Sequence, residues 1–314
     1  MDAVWATMER DALNGMDMAK VIARIKGGLG NQLFCYVAAR RLALANNAEL
    51  VIDDVTGFIR DRQYRRGYQL DRFNIQGRKA TPFERMEPFE RCRRGLAKFI
   101  ARRKPFYQRA YVEQEGLDFD SRLLDFRVKG TVYLDGLWQS ESYFRDIKST
   151  LREDLKIPPP ADYDNVRMAG KIESCNAVGV HARWFDKPDK IGPIHKSHNL
   201  QKEYYSRAID TIRARVSNPH FFLFSDYPDA ARGLIPVSES MITPVNHNGQ
   251  DQAYADLWLM TLCKHFIIAN STFSWWGAWL SEHSSKIVIA PDVRIDGITA
   301  WSFEGLIPQN WHRL

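Results

Sequence analysis

RIKGGLGNQLF, residues 24–34, joins an apolar run to a helical one. Residues 21–26 read as a buried strand, and Phe34, Ala38, Leu42 and Ala45 then fall on one helical face. ELVIDD, residues 49–54, supplies a second strand. Strand, glycine turn, helix and strand make a βαβ unit, so the chain begins as an α/β fold. Gly28 and Gly30 let backbone N–H groups approach an anion or a sugar, with a helix N-terminus behind them. The dinucleotide fingerprint asks for a third glycine where Leu33 stands, although Asp53 or Asp54 falls near the distance of a ribose-binding acid. The loop is either a ligand cradle or a plain tight turn.

At 314 residues the chain has room for two domains or one large α/β domain. Its 45% hydrophobic and 26% charged content is that of a globular protein and argues against long disordered tracts. A net charge of +6 suits an anionic ligand or surface without demanding one. Cys35, Cys92, Cys175 and Cys263 are scattered, with no Cys-x-x-Cys pair, which predicts a reducing, cytoplasmic setting and neither disulfides nor zinc. No apolar run reaches membrane-spanning length, and MDAVWATMERD does not read as a signal peptide. Residues 1–19 read as an N-terminal extension.

IPPP, residues 157–160, cannot continue a helix and divides the chain into 20–157 and 158–314. In the first part, 131–136 returns to a strand and SYFRDIKSTLREDL, 142–155, reads as a helix, while 55–129 is irregular and charged. In the second, strands are predicted at 177–183, 220–225, 241–245, 265–269 and 286–290. Helices fall between them at 202–215, 228–234, 251–263 and 272–282. The alternation predicts a mostly parallel, doubly wound sheet on each side of the prolines. Such sheets place ligand groups just past the carboxyl ends of their strands.

Five stretches occupy those places. The first is the glycine loop, with Asn31 and Gln32. The second, HARWFD, sets His181 and Arg183 on one strand face with Asp186 following. A guanidinium there suits a diphosphate, and an Arg–Asp ion pair tying strand to loop is the simpler use. The third, FFLFSD, ends in Ser225 and Asp226, where a carboxylate accepts from a ribose or guanine edge or caps the next helix. In the fourth, Asn270, Ser271 and Thr272 open an aromatic helix whose free N–H groups make a ready phosphate site. Its Trp275, Trp276 and Trp279 read as packing between helix and sheet. The fifth, DGLWQSESYF, holds Trp138 and Gln139, which either line a sugar site or pack a turn.

Taken in order, GGLGNQLF, DGLWQSESYF, HARWFD, FLFSD and DLWLMTLCKHFIIANSTFSWWGAWL resemble the motif set of the bacterial α-1,2-fucosyltransferases, from about residue 23 to residue 290. The resemblance implies a GT-B-like fold, two Rossmann-type domains facing across a cleft, with 20–157 on the acceptor side and 158–314 binding the GDP-sugar. It implies inverting, metal-independent transfer of L-fucose from GDP-β-L-fucose to a glycan hydroxyl, galactose O2, in polysaccharide or O-antigen biosynthesis. No cofactor is implied beyond the donor substrate. By the same resemblance His181 and Arg183 belong to an H-x-R-R-x-D motif whose first arginine holds the diphosphate. Asp226 would hold the guanosine, and Ser271, Thr272 and Phe273 the phosphates, with Ser225 and Asn270 beside them. Asn31 would face the reacting sugar and acceptor, completing a catalytic set with Arg183 and His181. Gly28, Gly30, Gln32, Trp138, Gln139 and Asp186 are then acceptor-side or structural. The family's second arginine is Trp184 here, and Phe185 stands where glycine is usual.

Asp118 and Asp120 form an Asp-x-Asp in a polar stretch that reads as a turn or helix start and not as a metal site. Between residues 85 and 109, arginines and lysines crowd around Leu96, Phe99 and Ile100. That pattern fits a solvated helix or a basic amphipathic helix lying on anionic lipid, at the inner face of a membrane beside a lipid-linked oligosaccharide acceptor. No nucleic-acid recognition motif accompanies the charge. Two other classes remain: an NAD(P)-dependent oxidoreductase built on Gly28, Gly30 and Asp53, and a non-catalytic nucleotide-sugar or carbohydrate-binding protein.

Overall fold

The computed structural model describes residues 18–62, 64–185, 199–293 and 301–314. Among these, β1 (Lys20–Arg24), β2 (Glu49–Asp53), β3 (Arg78–Lys79), β4 (Tyr111–Glu113) and β5 (Thr131–Asp135) form one parallel sheet in the order β3-β2-β1-β5-β4. A second parallel sheet contains β6 (Asn176–Ala182), β7 (Pro219–Ser225), β8 (Ile242–Val245), β9 (His265–Ile267), β10 (Val288–Ala290) and β11 (His312–Arg313). Its order is β11-β10-β9-β6-β7-β8. The helices are α1 (Leu29–Ala45), α2 (Glu90–Arg102), α3 (Lys148–Asp154), α4 (Tyr163–Glu173), α5 (Lys202–Arg213), α6 (Pro228–Arg232), α7 (Ala253–Leu262) and α8 (Thr272–Leu280). In each sheet the strand order reverses at one place, between β1 and β5 and between β6 and β9. Crevices outside the carboxyl ends of the strands at such switch points are where open parallel sheets bind ligands.

Alternation along the strands gives both faces of each sheet an apolar cover. Val21, Ala23, Leu50, Ile52, Val132 and Leu134 cluster with α1, while Ile22, Val51, Tyr111 and Tyr133 cluster with α2. In the second sheet Val178, Val180, Phe221 and Leu223 cluster with α5, and Phe222, Phe224, Phe266 and Val288 join α7 and α8.

The predicted strands are all found, with shifted ends. The helix expected over 142–155 is interrupted, with 3-10 turns at Glu141–Tyr143 and Arg145–Ile147 before α3. Phe144 leaves helical geometry, at φ −144° and ψ 13°, and its ring stacks on Trp276 with centroids 5.7 Å apart. The irregular stretch 55–129 holds β3, α2 and β4; these strands are short and lack the longer apolar runs that mark the equally short β9 and β10. α4 was not anticipated, because its apolar signal is split: Met168, Ala169 and Ile172 are buried while Tyr163 and Val166 are exposed.

One apolar cluster runs through both sheets' helices. Phe34 of α1 lies 4.7 Å from Trp275 and 4.8 Å from Trp276 of α8, centroid to centroid. The tryptophans expected between helix and sheet therefore also seal the junction of α1 with α8. The C-terminal segment returns to the first half, where Glu304 N donates to Asp118 Oδ1 at 2.8 Å. Asp120 accepts from Arg122 N at 3.0 Å and caps the turn Ser121–Leu123, so the Asp-x-Asp is a helix start as read.

Candidate functional site

α1 and α8 meet at their N-termini. Gly28 precedes α1 and Ser271 precedes α8, and neither helix has a side-chain cap or an acidic residue in its first turn. Both therefore present N–H groups and the positive end of a helix dipole. They touch backbone to backbone. A Cβ on Gly30 would lie 2.5 Å from the Thr272 carbonyl carbon and 2.7 Å from Phe273 N, so only glycine permits the approach. Trp276 Nε1 donates to the Gly30 carbonyl at 2.9 Å and closes the joint.

Asn31, one residue on, accepts at Oδ1 from Gln139 Nε2 at 2.8 Å and from Thr272 Oγ1 at 2.9 Å. Asn31 follows β1, Gln139 follows β5 and Thr272 follows β9. One amide oxygen thus ties the switch point of the first sheet to that of the second. Trp138 behaves otherwise. It is 1% exposed and edge-on to Tyr143, with its backbone N held by Gln114 Oε1 at 2.9 Å. Its ring offers no face to a sugar, which corrects the sugar-lining alternative and leaves it structural.

Gln32 is fully buried. Its Nε2 donates to Gly27 O and Gly67 O, both at 2.9 Å, and its Oε1 accepts from Gln69 N at 2.9 Å. It clips residues 67–69 onto the glycine loop and so fixes Arg66, whose Nε lies 3.6 Å from where a Gly28 Cβ would stand. Burial lowers the Arg66 pKa; Asp61 opposes the shift, and nearby Arg183 adds to it. Arg66 escaped the sequence reading because it stands in the irregular stretch with no motif around it, only the charge run DRQYRRGY.

Arg183 leaves the carboxyl end of β6 and pairs through NH1 with Asp226 Oδ2 at 2.9 Å, past β7. Asp226 Oδ1 accepts the backbone N–H of Trp184 at 3.2 Å. The helix-capping alternative for Asp226 is therefore corrected: it faces Arg183, and the N-cap of α6 is Tyr227, without a side-chain bond. Ser225 Oγ accepts from Tyr227 N at 3.1 Å and shapes that turn. Burial raises the Asp226 pKa, and Arg183 works against the shift. Asp186 lies outside the described residues.

His181 is buried, with Nδ1 2.9 Å from Ser274 Oγ, which itself donates to Ser271 O at 3.2 Å. The serine has one proton to give, so Nδ1 carries the imidazole hydrogen. Burial, reinforced by Arg183, pushes the His181 pKa down to about 3. The neutral ring pins the first turn of α8 to β6 and lies 5.5 Å from the Phe273 ring. Asn270 is buried beside that turn.

Asp53 is also buried, its oxygens taken by Thr56 N at 2.9 Å and by the Thr56 and Tyr133 hydroxyls. It has no oxygen left for a ribose, which corrects that expectation. Asp54 pairs with Lys79 at 3.3 Å. What converges at the joint is two guanidiniums, two uncapped helix N-termini and two amides. Such a set can hold a diphosphate next to hydroxyl-bearing groups.

The profile of glycosyl transferase family 11 matches residues 20–312. An α-1,2-colitosyltransferase of Escherichia coli is 31% identical over 95% of this chain and 99% of its own length. An O-antigen biosynthesis glycosyltransferase of Escherichia coli, WbnK, is 29% identical over 85% of this chain and 92% of its own. The mouse galactoside 2-α-L-fucosyltransferase Sec1 is 31% identical over 42% of this chain and 36% of its own. No helix among the described residues is long and apolar enough to cross a membrane.

Proposed function

The chain belongs to glycosyl transferase family 11, and from this we propose that it moves L-fucose from GDP-β-L-fucose to a glycan hydroxyl, galactose O2, with inversion and without a metal. Residues 20–157 would serve the acceptor and 158–314 the GDP-sugar, as two Rossmann-type domains facing across a GT-B-like cleft. The acceptor is a glycan or lipid-linked oligosaccharide met on the cytoplasmic side. The observation that carries this reading is the joint itself, where Asn31 Oδ1 accepts from Gln139 at 2.8 Å and Thr272 at 2.9 Å between two uncapped helix N-termini.

As the bond from C1 to the diphosphate breaks, the sugar becomes oxocarbenium-like and negative charge grows on GDP. Rate comes from holding that growing charge more tightly than the ground-state charge. Guanosine on Asp226 would release Arg183 to the diphosphate, where the N–H groups of residues 271–273 and the Arg66 guanidinium also point their charge. His181 holds the α8 turn in place for this. The acceptor hydroxyl oxygen attacks C1 opposite the diphosphate, which departs as GDP and takes up the hydroxyl's proton, and Asn31 with Gln139 orients the attack. Gly28 and Gly30 allow the close approach and Gln32 braces the loop. Asp118 and Asp120 are spent on local structure, in keeping with metal independence.

A thermal-shift panel of GDP, GDP-fucose, GDP-mannose, UDP and NAD tests the donor. GDP and GDP-fucose should stabilise the protein; stabilisation by NAD and not by GDP would overturn the reading. Transfer to a β-galactoside, with linkage read by NMR and EDTA added, tests the rest, and loss of activity in EDTA would end the metal-free claim. The likeness to an Escherichia coli α-1,2-colitosyltransferase favours a second reading, in which colitose is the sugar transferred, and a nucleotide-activated colitose belongs in the same assay.

A further inference from the structure

α2 lies on the first sheet with its apolar side outward. Ala97 and Ala101 face the sheet, packed with Ile22, Val51, Tyr111 and Tyr133. Lys98 reaches inward to Asp135 at 3.2 Å and to Glu113, and Arg102 pairs with Glu113 at 2.9 Å. Burial disfavours the Asp135 carboxylate, but Lys26 and Arg24 overcome this and hold its pKa far below the usual range. Lys98 thus serves a buried carboxylate, and Arg102, itself largely exposed, is balanced by Glu113. The outer side carries Leu96, Phe99 and Ile100, 59%, 55% and 46% exposed, with Phe89 at 73% just ahead of the helix. Residues 96, 99 and 100 keep the three-and-four spacing of a single helical stripe.

Arg93, Arg103 and Lys104 flank this stripe, all exposed, while Arg91 shares its helical face with Lys98. None of these three has a carboxylate partner among the described residues, whereas Lys98, Arg102 and Arg109 are paired to Glu113 and Glu115. Arg103 stacks on Phe99 at 3.4 Å, its charge riding at the edge of the apolar ring. An apolar stripe in a ring of unpaired cations matches a surface with negative headgroups over a hydrocarbon boundary. A second copy of the chain matches it poorly, because a two-fold contact would set the same three cations against one another.

We propose that the outer face of α2 docks on an anionic phospholipid bilayer, with Leu96, Phe99 and Ile100 entering the headgroup–acyl boundary and Arg93, Arg103 and Lys104 contacting headgroups. The contact needs neither donor nor acceptor, so its failure would leave the transferase reading untouched. The test is co-sedimentation of the full chain with phosphatidylcholine vesicles, with and without phosphatidylglycerol. Binding should be about tenfold stronger to the anionic vesicles and should fall with added salt. Leu96→Glu with Phe99→Glu should lose about tenfold in vesicle affinity while keeping circular dichroism, melting temperature and transfer to a soluble acceptor. Two exposed positions tolerate that change without unfolding. Absence of binding to anionic vesicles, equal binding by the double variant, or a dimer that the double variant abolishes without any vesicle binding would each overturn the proposal.

Discussion

Asn31 offers a single oxygen to donors from opposite halves of the chain. Asn31→Ala leaves the Gln139 amide and the Thr272 hydroxyl without their acceptor, a loss of about 1–3 kcal/mol that translates to about 10- to 100-fold in rate. Because Arg183 and Asp226 are untouched, GDP affinity should stay within about threefold, read by calorimetry beside kcat. Asn31→Asp keeps the accepting oxygen and should recover much of the loss; a collapse of GDP binding in Asn31→Ala would make the glycine loop a nucleotide site instead. Arg66 invites a complementary test. Arg66→Ala should weaken GDP by about tenfold, more so at low salt, and Arg66→Lys should recover only part, since an ammonium lacks the paired donors of a guanidinium. Unchanged GDP affinity would remove Arg66 from the donor site.

At the scale of elements, the contact of α1 with α8 is the least forgiving feature. Gly30→Ala forces a methyl carbon to within 2.5 Å of Thr272 backbone and should cost about 3 kcal/mol, seen as a lowered melting temperature together with lost transfer. α7 carries a titrating group of its own. Burial pushes Asp256 up to about 6, with Asn248 Nδ2 at 2.8 Å acting the other way. A carboxyl whose folded pKa lies above its unfolded value near about 3.9 stabilises the fold at low pH and loses that contribution as pH rises through about 6. Asp256→Asn should therefore match wild type near pH about 4 and exceed it by about 1–2 kcal/mol above pH about 7, measured by denaturant unfolding. The strands set in longer apolar runs, the glycine loop and the helices α5 to α8 were legible because those runs and periods are long enough to count. β3, β4 and α4 were not, for want of length or of a continuous apolar stripe. In the site, residues inside motifs were found by position past a strand. Arg66 was not, because what places it is a clip from Gln32 across 35 residues of sequence.

For the whole molecule, the apolar cluster that includes Phe34, Phe144, Trp275 and Trp276 leaves no seam between the halves along which one could melt first. Heat unfolding should give one transition, with calorimetric and van't Hoff enthalpies equal and tryptophan fluorescence coincident with circular dichroism. Two separated transitions would show the halves to be independent. Ion pairing runs the same way, since Arg152 NH1 donates to Leu280 O at 3.2 Å and to Glu282 at 3.0 Å from across the proline linker. The Gly30–Thr272 joint has a further meaning for how such chains diversify. A recombinant that takes residues 20–157 from one relative and 158–314 from another inherits a working interface only if both parents bring the same fit of glycine, asparagine, threonine and tryptophan. The two halves are thus not freely exchangeable cassettes, and new pairings should arise by drift within the loops around a preserved joint.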